Sequence, residues 1–238
     1  LHHSRVKKLK DQGIVRIGDV PDGFVTDAKE LLRFEAFRSG QPRIDPAIRG
    51  RLNAIQYPAH LIDFEAARPD VPVIPGTSPF DLIPFQWSCH TLASAPGAEI
   101  DTLGPDHNHS GYVHEDRSDP RESFARTLYE AIRDGGSILH YHAYEKTVIK
   151  DLAEHNVRYA DELMGLIEPR FVDLEKVVAE CYADARFGGL TSIKAVLPVV
   201  AGDLSYKVLS INDGDQAQAE YLRALDPACL DQDRKKVF

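Results

Sequence analysis

Asp63 and Glu65 are separated by a single residue in the segment YPAHLIDFEA, which has a proline near its start and continues in apolar, β-compatible side chains. Such a segment reads as a strand. The alternation of a strand sends both carboxylates to one face and turns Phe64 to the other. Two carboxylates held together repel each other unless a cation lies between them, and their hard oxygens suit Mg²⁺ or Mn²⁺. The competing reading of so short a pattern is a solvated pair at a strand end. Two histidine pairs, His107 with His109 and His140 with His142, have ligand-like spacing. Neither has a nearby cysteine or the four clustered ligands of a structural zinc site, so zinc is not expected.

The elements that must position these residues follow from the pattern around them. Up to about Asn53 the chain shows short helical patterns (residues 28–37 and 48–55) with glycine and proline punctuation and no strong strand. A small helical appendage, residues 1–55, is expected there, and the main domain, 56–238, is expected to open with the Asp63 strand. A proline-rich loop (68–84) leads to FQWSCHTL, a second strand. Residues 99–103 and 111–115 read as the next short strands, giving an antiparallel meander. Asp119, Pro120 and Glu122 mark a helix start ahead of Phe124, Leu128 and Ile132, and Gly135 and Gly136 stop that helix. SILHYHA then reads as a strand, YEKTVIKDLAEH as a helix, and FVDLEKVVAECY as a strand running into another helix. The expected fold is α/β: a mixed sheet, antiparallel meander followed by parallel strands, flanked by helices.

Composition bounds the rest. The chain of 238 residues is 43% hydrophobic and 27% charged, with no apolar run near the ~20 residues of a membrane helix. No membrane partner is expected. Cys89, Cys181 and Cys229 stand far apart, which fits a reducing cytoplasm better than a disulfide framework. No secretory leader opens the chain, and its first residue is Leu1, so a fragment or processed chain is the expectation. The formal charge of −9 argues against a generic cationic binder of nucleic acid. Residues 1–56 nevertheless carry 11 Lys/Arg against 7 Asp/Glu, a basic surplus that either touches phosphate or is simply solvated.

Beyond single motifs, LIDFEA resembles the first motif of the ribonuclease-H-like exonucleases with four acidic metal ligands, the DnaQ-like or DEDD superfamily. YHAYEK resembles their second motif at a strand-to-helix junction. In order, IDFEA, PFQWSCH, SDPRESF, HYHAYEK, FVDLEKV, GGLTSIKAVLP and INDGDQA resemble a prokaryotic family of that superfamily over residues 57–221. The segment GIVRIGDVPDGF is similar to what precedes the domain in chains with a further nuclease module upstream, which would be a partner module in a longer chain.

The resemblance implies a ribonuclease-H-like fold and a divalent-metal-dependent nuclease, a 3′ to 5′ exonuclease acting on DNA or RNA with two Mg²⁺ or Mn²⁺ ions. It implies Asp63, Glu65 and Glu145 as catalytic metal ligands, Glu145 standing where the family carries an aspartate one methylene shorter. It places Asp173 in support of the site and Lys194 and His142 toward substrate. For Glu145 the competing reading is a helix-dipole contact, and for Lys194 a solvated tip. The fourth carboxylate, which a tyrosine or histidine should precede on a late helix, is expected beyond Phe238, which would leave the domain short of its last helix. Asp226, five residues after Tyr221 but followed by Pro227, is the weak alternative within the chain. Two other functions stay open: a nucleic-acid-binding module of the same fold without catalysis, and a small-nucleotide phosphohydrolase.

Overall fold

The structure, a computed structural model, describes residues 3–95, 109–202, 204, 211, 214–230, 234 and 237. Its regular elements are α1 (His3–Asp11), α2 (Ala28–Ser39), β1 (Arg43–Ile44), α3 (Ala47–Asn53), β2 (Ala59–Ala67), β3 (Ile83–Leu92), β4 (His109–Val113), α4 (Arg121–Ile132), β5 (Ile138–His140), α5 (Tyr144–Glu154), α6 (Ala160–Arg170), β6 (Phe171–Asp173), α7 (Leu174–Cys181), β7 (Tyr182–Ala183), α8 (Ile193–Val200) and α9 (Gly214–Ala224). The chain forms two compact units: residues 1–54 with 174–205, and residues 55–173 with 206–238. Among the described residues no helix is long and apolar enough to cross a membrane.

The larger unit is built on a five-stranded mixed sheet of order β4-β3-β2-β5-β6. β2, β3 and β4 pair antiparallel, while β5 and β6 run parallel to β2. Phe64 lies opposite Trp87, and both are buried. Phe64 meets Phe124 of α4 edge-on, with ring centroids 5.1 Å apart. The helical spacing of Phe124, Leu128 and Ile132 places all three at 0% exposure against the sheet, joined by Val148, Ile149 and Leu152 of α5 and Leu163 and Ile167 of α6. Truncating any of these large side chains to alanine would cost about 2–5 kcal/mol. α9 closes the far end of β2, where the Tyr221 ring stacks on Phe85 at 3.8 Å and 5°.

The turn into β5 rests on Gly136, whose φ of +70° a side-chain-bearing residue rarely adopts and where a Cβ would stand 1.7 Å from the Pro58 carbonyl oxygen. Gly135 and Gly136 thus end the α4 hairpin and seat it on the entry to β2. The Arg170 guanidinium donates to both of their carbonyls.

The smaller unit holds α1, α2 and α3 with α7, the two-stranded antiparallel pair β1–β7, and α8. Asp27 caps α2 by accepting from the Glu30 amide at 3.0 Å, and Gly40 ends it in the left-handed region at φ 67°. Glu180 of α7 pairs with Lys29 at 2.7 Å and with Arg51. Arg5, Arg38 and Arg43 pair with Glu30, Asp22 and Glu35. Part of the basic surplus of this segment is therefore engaged within the unit.

The expected α/β class with a mixed sheet is present. Three features differ from the sequence reading. Residues 174–205, expected within a single domain over 56–238, cluster instead with residues 1–54, because α7 packs on α2 and α3 and β7 pairs with β1. The first segment, which lacks a strand pattern, contributes the two-residue β1, whose pairing comes from distant β7 rather than local propensity. Helix α6 was not expected; Pro169 in its last turn interrupts the pattern of ADELMGLIEPR. The strand expected at 99–103 lies outside the described residues, while β4 begins at His109, two residues before the strand expected at 111–115.

Candidate functional site

Strand β2 carries Asp63 exposed and Glu65 half-buried on the face away from Phe64, as its alternation dictates. Although the residue keeps solvent access, desolvation by the protein around its carboxyl, then the negative charge of Glu145, raises the Asp63 pKa above the usual aspartate value; a hydrogen bond from the Phe64 amide opposes the rise. Glu145 sits in the first turn of α5, only 3% exposed. Its Oε2 has no hydrogen-bond partner among the described residues. Two carboxylates from separate elements, β2 and α5, thus repel each other across one spot.

The link between β5 and α5 explains how Glu145 is held. His142, in the left-handed region at φ 74°, turns the chain and directs its carbonyl to His140 Nδ1. A carbonyl only accepts, so Nδ1 is the donor of this bond. The same Nδ1 lies 3.6 Å from Glu145 Oε2. His140 Nε2 is buried with no hydrogen-bond partner among the described residues.

Tyr144, next to Glu145, has its hydroxyl pKa pushed up to about 12 by burial and by the charges of Glu65, Glu145 and Asp63, with Arg68 opposing. That one hydroxyl senses all three carboxylates places them in a common electrostatic neighbourhood. Glu65 and Tyr144 line a cleft of about 400 Å³ together with Arg68, Gly214, Asp215 and Gln218. The Arg68 amide donates to Gln218 Oε1 at 2.7 Å, tying the end of β2 to α9. Gly214 opens α9 with Glu65 Oε2 3.5 Å from where its Cβ would stand, a position favoured by the helix dipole.

Asp63 and Glu65 share one face of β2, and Glu145 lies near enough to Asp63 for its charge to act on that carboxyl. Asp173 ends β6 in register with His140, half-buried. His142 is exposed, and its backbone carbonyl accepts from His140. Lys194 belongs to the smaller unit, exposed in the first turn of α8. Asp226 follows the end of α9 in an exposed turn, where its carboxylate accepts the Ala228 amide at 2.8 Å. His107 lies outside the described residues.

Among the described residues, no group of three or more His, Cys, Asp or Glu side chains converges closely enough to hold a metal ion. The donor chemistry is nevertheless that of a hard-cation site. The carboxylates are mutually repulsive, and one buried oxygen lacks a hydrogen-bond partner.

Sequence reasoning missed Arg68, Asp215 and Gln218 at the cleft and the polar side chains of β3. The signal for the latter was available, since Gln86, Ser88 and His90 alternate along a strand whose intervening residues are apolar. Nothing local could have brought Asp215 to Glu65 across 150 residues.

No curated protein and no solved structure matches the chain. One family model does, over residues 60–192, a stretch that takes in Asp63, Glu65, His140, Glu145 and Asp173. The match covers more than half of the sequence, and the chain therefore belongs to the family described as a domain of unknown function (DUF2779).

Proposed function

We propose that the larger unit is a ribonuclease-H-like, divalent-metal-dependent nuclease that hydrolyses phosphodiester bonds of DNA or RNA, acting as a 3′ to 5′ exonuclease. The observation that carries this reading is the approach of Glu145, from the start of α5, to Asp63 on β2, close enough to raise the Asp63 pKa. Strand order β4-β3-β2-β5-β6, with three antiparallel strands and two parallel ones, supports the fold assignment. Asp63, Glu65 and Glu145 would hold Mg²⁺ or Mn²⁺. When bound, such ions supply an activated water and neutralise charge on the phosphate and the departing oxygen.

The reaction joins a water oxygen to phosphorus and breaks one P–O bond, and the departing oxygen leaves with a proton. Arg68 at the cleft wall offers positive charge to a phosphate. Tyr144, protonated throughout the working pH range, offers a hydroxyl hydrogen to the same strand.

A labelled single-stranded oligonucleotide tests the proposal. The chain shortens it in Mg²⁺ or Mn²⁺ and stops in EDTA, and Asp63→Asn abolishes the activity. An Asp63→Asn variant that cuts as fast as the parent overturns the site.

A second reading is a binding module that holds nucleic acid without cutting it, favoured by the lack of a closed three-ligand group among the described residues. Binding without metal-dependent cleavage would identify it. Hydrolysis of a mononucleotide ester but not of oligonucleotides would identify a small-nucleotide phosphohydrolase.

A further inference from the structure

The register of the sheet places a second polar row beside the carboxylates. Ser88 lies opposite Asp63, Gln86 opposite Glu65, and His90 opposite Leu61. On the next strand His109 lies opposite His90, and Gly111 opposite Ser88. Residues directly paired across antiparallel strands share a face, so this row continues the face that carries Asp63 and Glu65.

The row is preorganised. Ser88 Oγ and His109 Nε2 share a hydrogen bond of 2.9 Å, and the His90 and His109 rings stand 4.5 Å apart at 37°. Gly111 packs beside this pair: a Cβ there would press on the Trp87 carbonyl oxygen at 3.3 Å and meet His109 Cε1 at an ordinary 3.5 Å. His90, His109 and Gly111 are exposed and Ser88 is half-buried, so the row is open to solvent.

Carboxylates alone repel a nucleic-acid strand, whereas hydroxyl and imidazole groups can donate to phosphate and sugar oxygens. We infer that Ser88, His90 and His109 form a subsite for the sugar–phosphate backbone of the substrate strand, leading away from the bond held at Asp63. The inference rests on the nuclease reading of that site. At a strand spacing of ~4.8 Å, β4 lies roughly 10 Å from β2, the span of two to three stacked nucleotides at a rise of about 3.4 Å. Ser88, directly opposite Asp63, is within reach of a dinucleotide bound at the carboxylates, whereas the His109 end of the subsite on β4 engages only longer oligonucleotides.

The test compares fluorescence anisotropy of a labelled hexanucleotide and a labelled dinucleotide on the chain in EDTA. The parent should bind the hexanucleotide about tenfold more tightly. The double variant His90→Ala, His109→Ala should bring that ratio near one. Ser88→Ala, which removes the hydroxyl that shares a hydrogen bond with His109, should lower it by about half or more, with circular-dichroism melts showing that both variants fold. Variants that keep the parent's length preference overturn the subsite, as does a parent with none. Cleavage in Mn²⁺ and its loss in Asp63→Asn decide the nuclease reading separately, so a failure of the subsite leaves that result standing.

Discussion

His140 Nδ1 lies 3.6 Å from Glu145 Oε2, and the two side chains are almost completely buried together. The imidazole proton is directed to the His142 carbonyl, so Glu145 keeps an oxygen that no hydrogen bond from a described residue satisfies. An unsatisfied buried carboxylate is costly in the metal-free protein and well suited to a cation. Glu145→Gln should therefore leave the protein about 1 kcal/mol more stable than the parent in EDTA while reducing the rise in melting temperature that millimolar Mn²⁺ gives the parent. Thermal melts with and without Mn²⁺ check both halves. A parent melting temperature that does not move across a wide Mn²⁺ titration would count against cation binding at Glu145.

Asp63 should titrate above the ordinary aspartate value of 3.8 in the metal-free protein, because partial desolvation of its carboxyl and the Glu145 charge both favour its protonated form. A folded-state pKa above the unfolded one gives stability that is fully present below the unfolded value and is lost as pH rises through the folded one. At neutral pH the charged carboxylate is thus a net burden on the metal-free fold. Asp63→Asn should be more stable than the parent there, with the difference vanishing in acid. Carboxyl-detected NMR titration in EDTA gives the pKa directly, and Glu145→Gln should bring it down. An unshifted Asp63 that ignores the Glu145 substitution would separate the two carboxylates.

Gly135 and Gly136 both adopt positive φ, yet their substitutions should differ. A Cβ on Gly135 meets nothing within 4 Å, so Gly135→Ala carries only the conformational penalty, about 1–2 kcal/mol. A Cβ on Gly136 would stand 1.7 Å from the Pro58 carbonyl oxygen, so Gly136→Ala must also push apart the entries to β2 and β5. A loss of about 3 kcal/mol or more is expected by urea denaturation. Equal losses at the two positions would show that the close approach to Pro58 yields freely.

What could be read from the sequence was whatever depends on local periodicity. The D-x-E alternation put Asp63 and Glu65 on one face, and the spacing of Phe124, Leu128 and Ile132 defined the face of α4 that meets the sheet. Glu145 was reached through a resemblance, since nothing in YHAYEK alone shows that its carboxylate is buried beside His140. The assignment of residues 174–205 to the smaller unit depends on β7 pairing with a two-residue strand some 140 positions earlier, a contact that no local pattern encodes. Ser88 and His90 were legible as alternating polar positions, but their relation to Asp63 needs the antiparallel register, which the loop between β2 and β3 leaves open.

Two late carboxylates of the larger unit, Asp215 and Asp226, should behave in opposite ways. Helix α9 ends at Ala224, and the Asp226 amide donates to the Arg223 carbonyl at 3.2 Å as the chain turns. The Asp226 carboxylate accepts the Ala228 amide and its carbonyl accepts the Cys229 amide, so it serves the turn rather than the cleft. Tyr221, the residue that would precede a ligand there, is 1% exposed and stacks on Phe85, holding α9 to the sheet. Asp226→Asn should keep metal-dependent cleavage intact and cost no more than about 1 kcal/mol, since asparagine can still accept from Ala228. Asp215 is exposed in the first turn of α9 and lines the cleft with Glu65 and Tyr144. Asp215→Asn should raise the Mn²⁺ concentration needed for half-maximal cleavage by about threefold or more, because it removes a negative charge that draws the cation to the cleft. Cleavage assayed across a Mn²⁺ series for both variants decides between them. If Asp226→Asn abolishes cutting while Asp215→Asn leaves the Mn²⁺ dependence unchanged, the turn after α9 is part of the site and the cleft at its start is not.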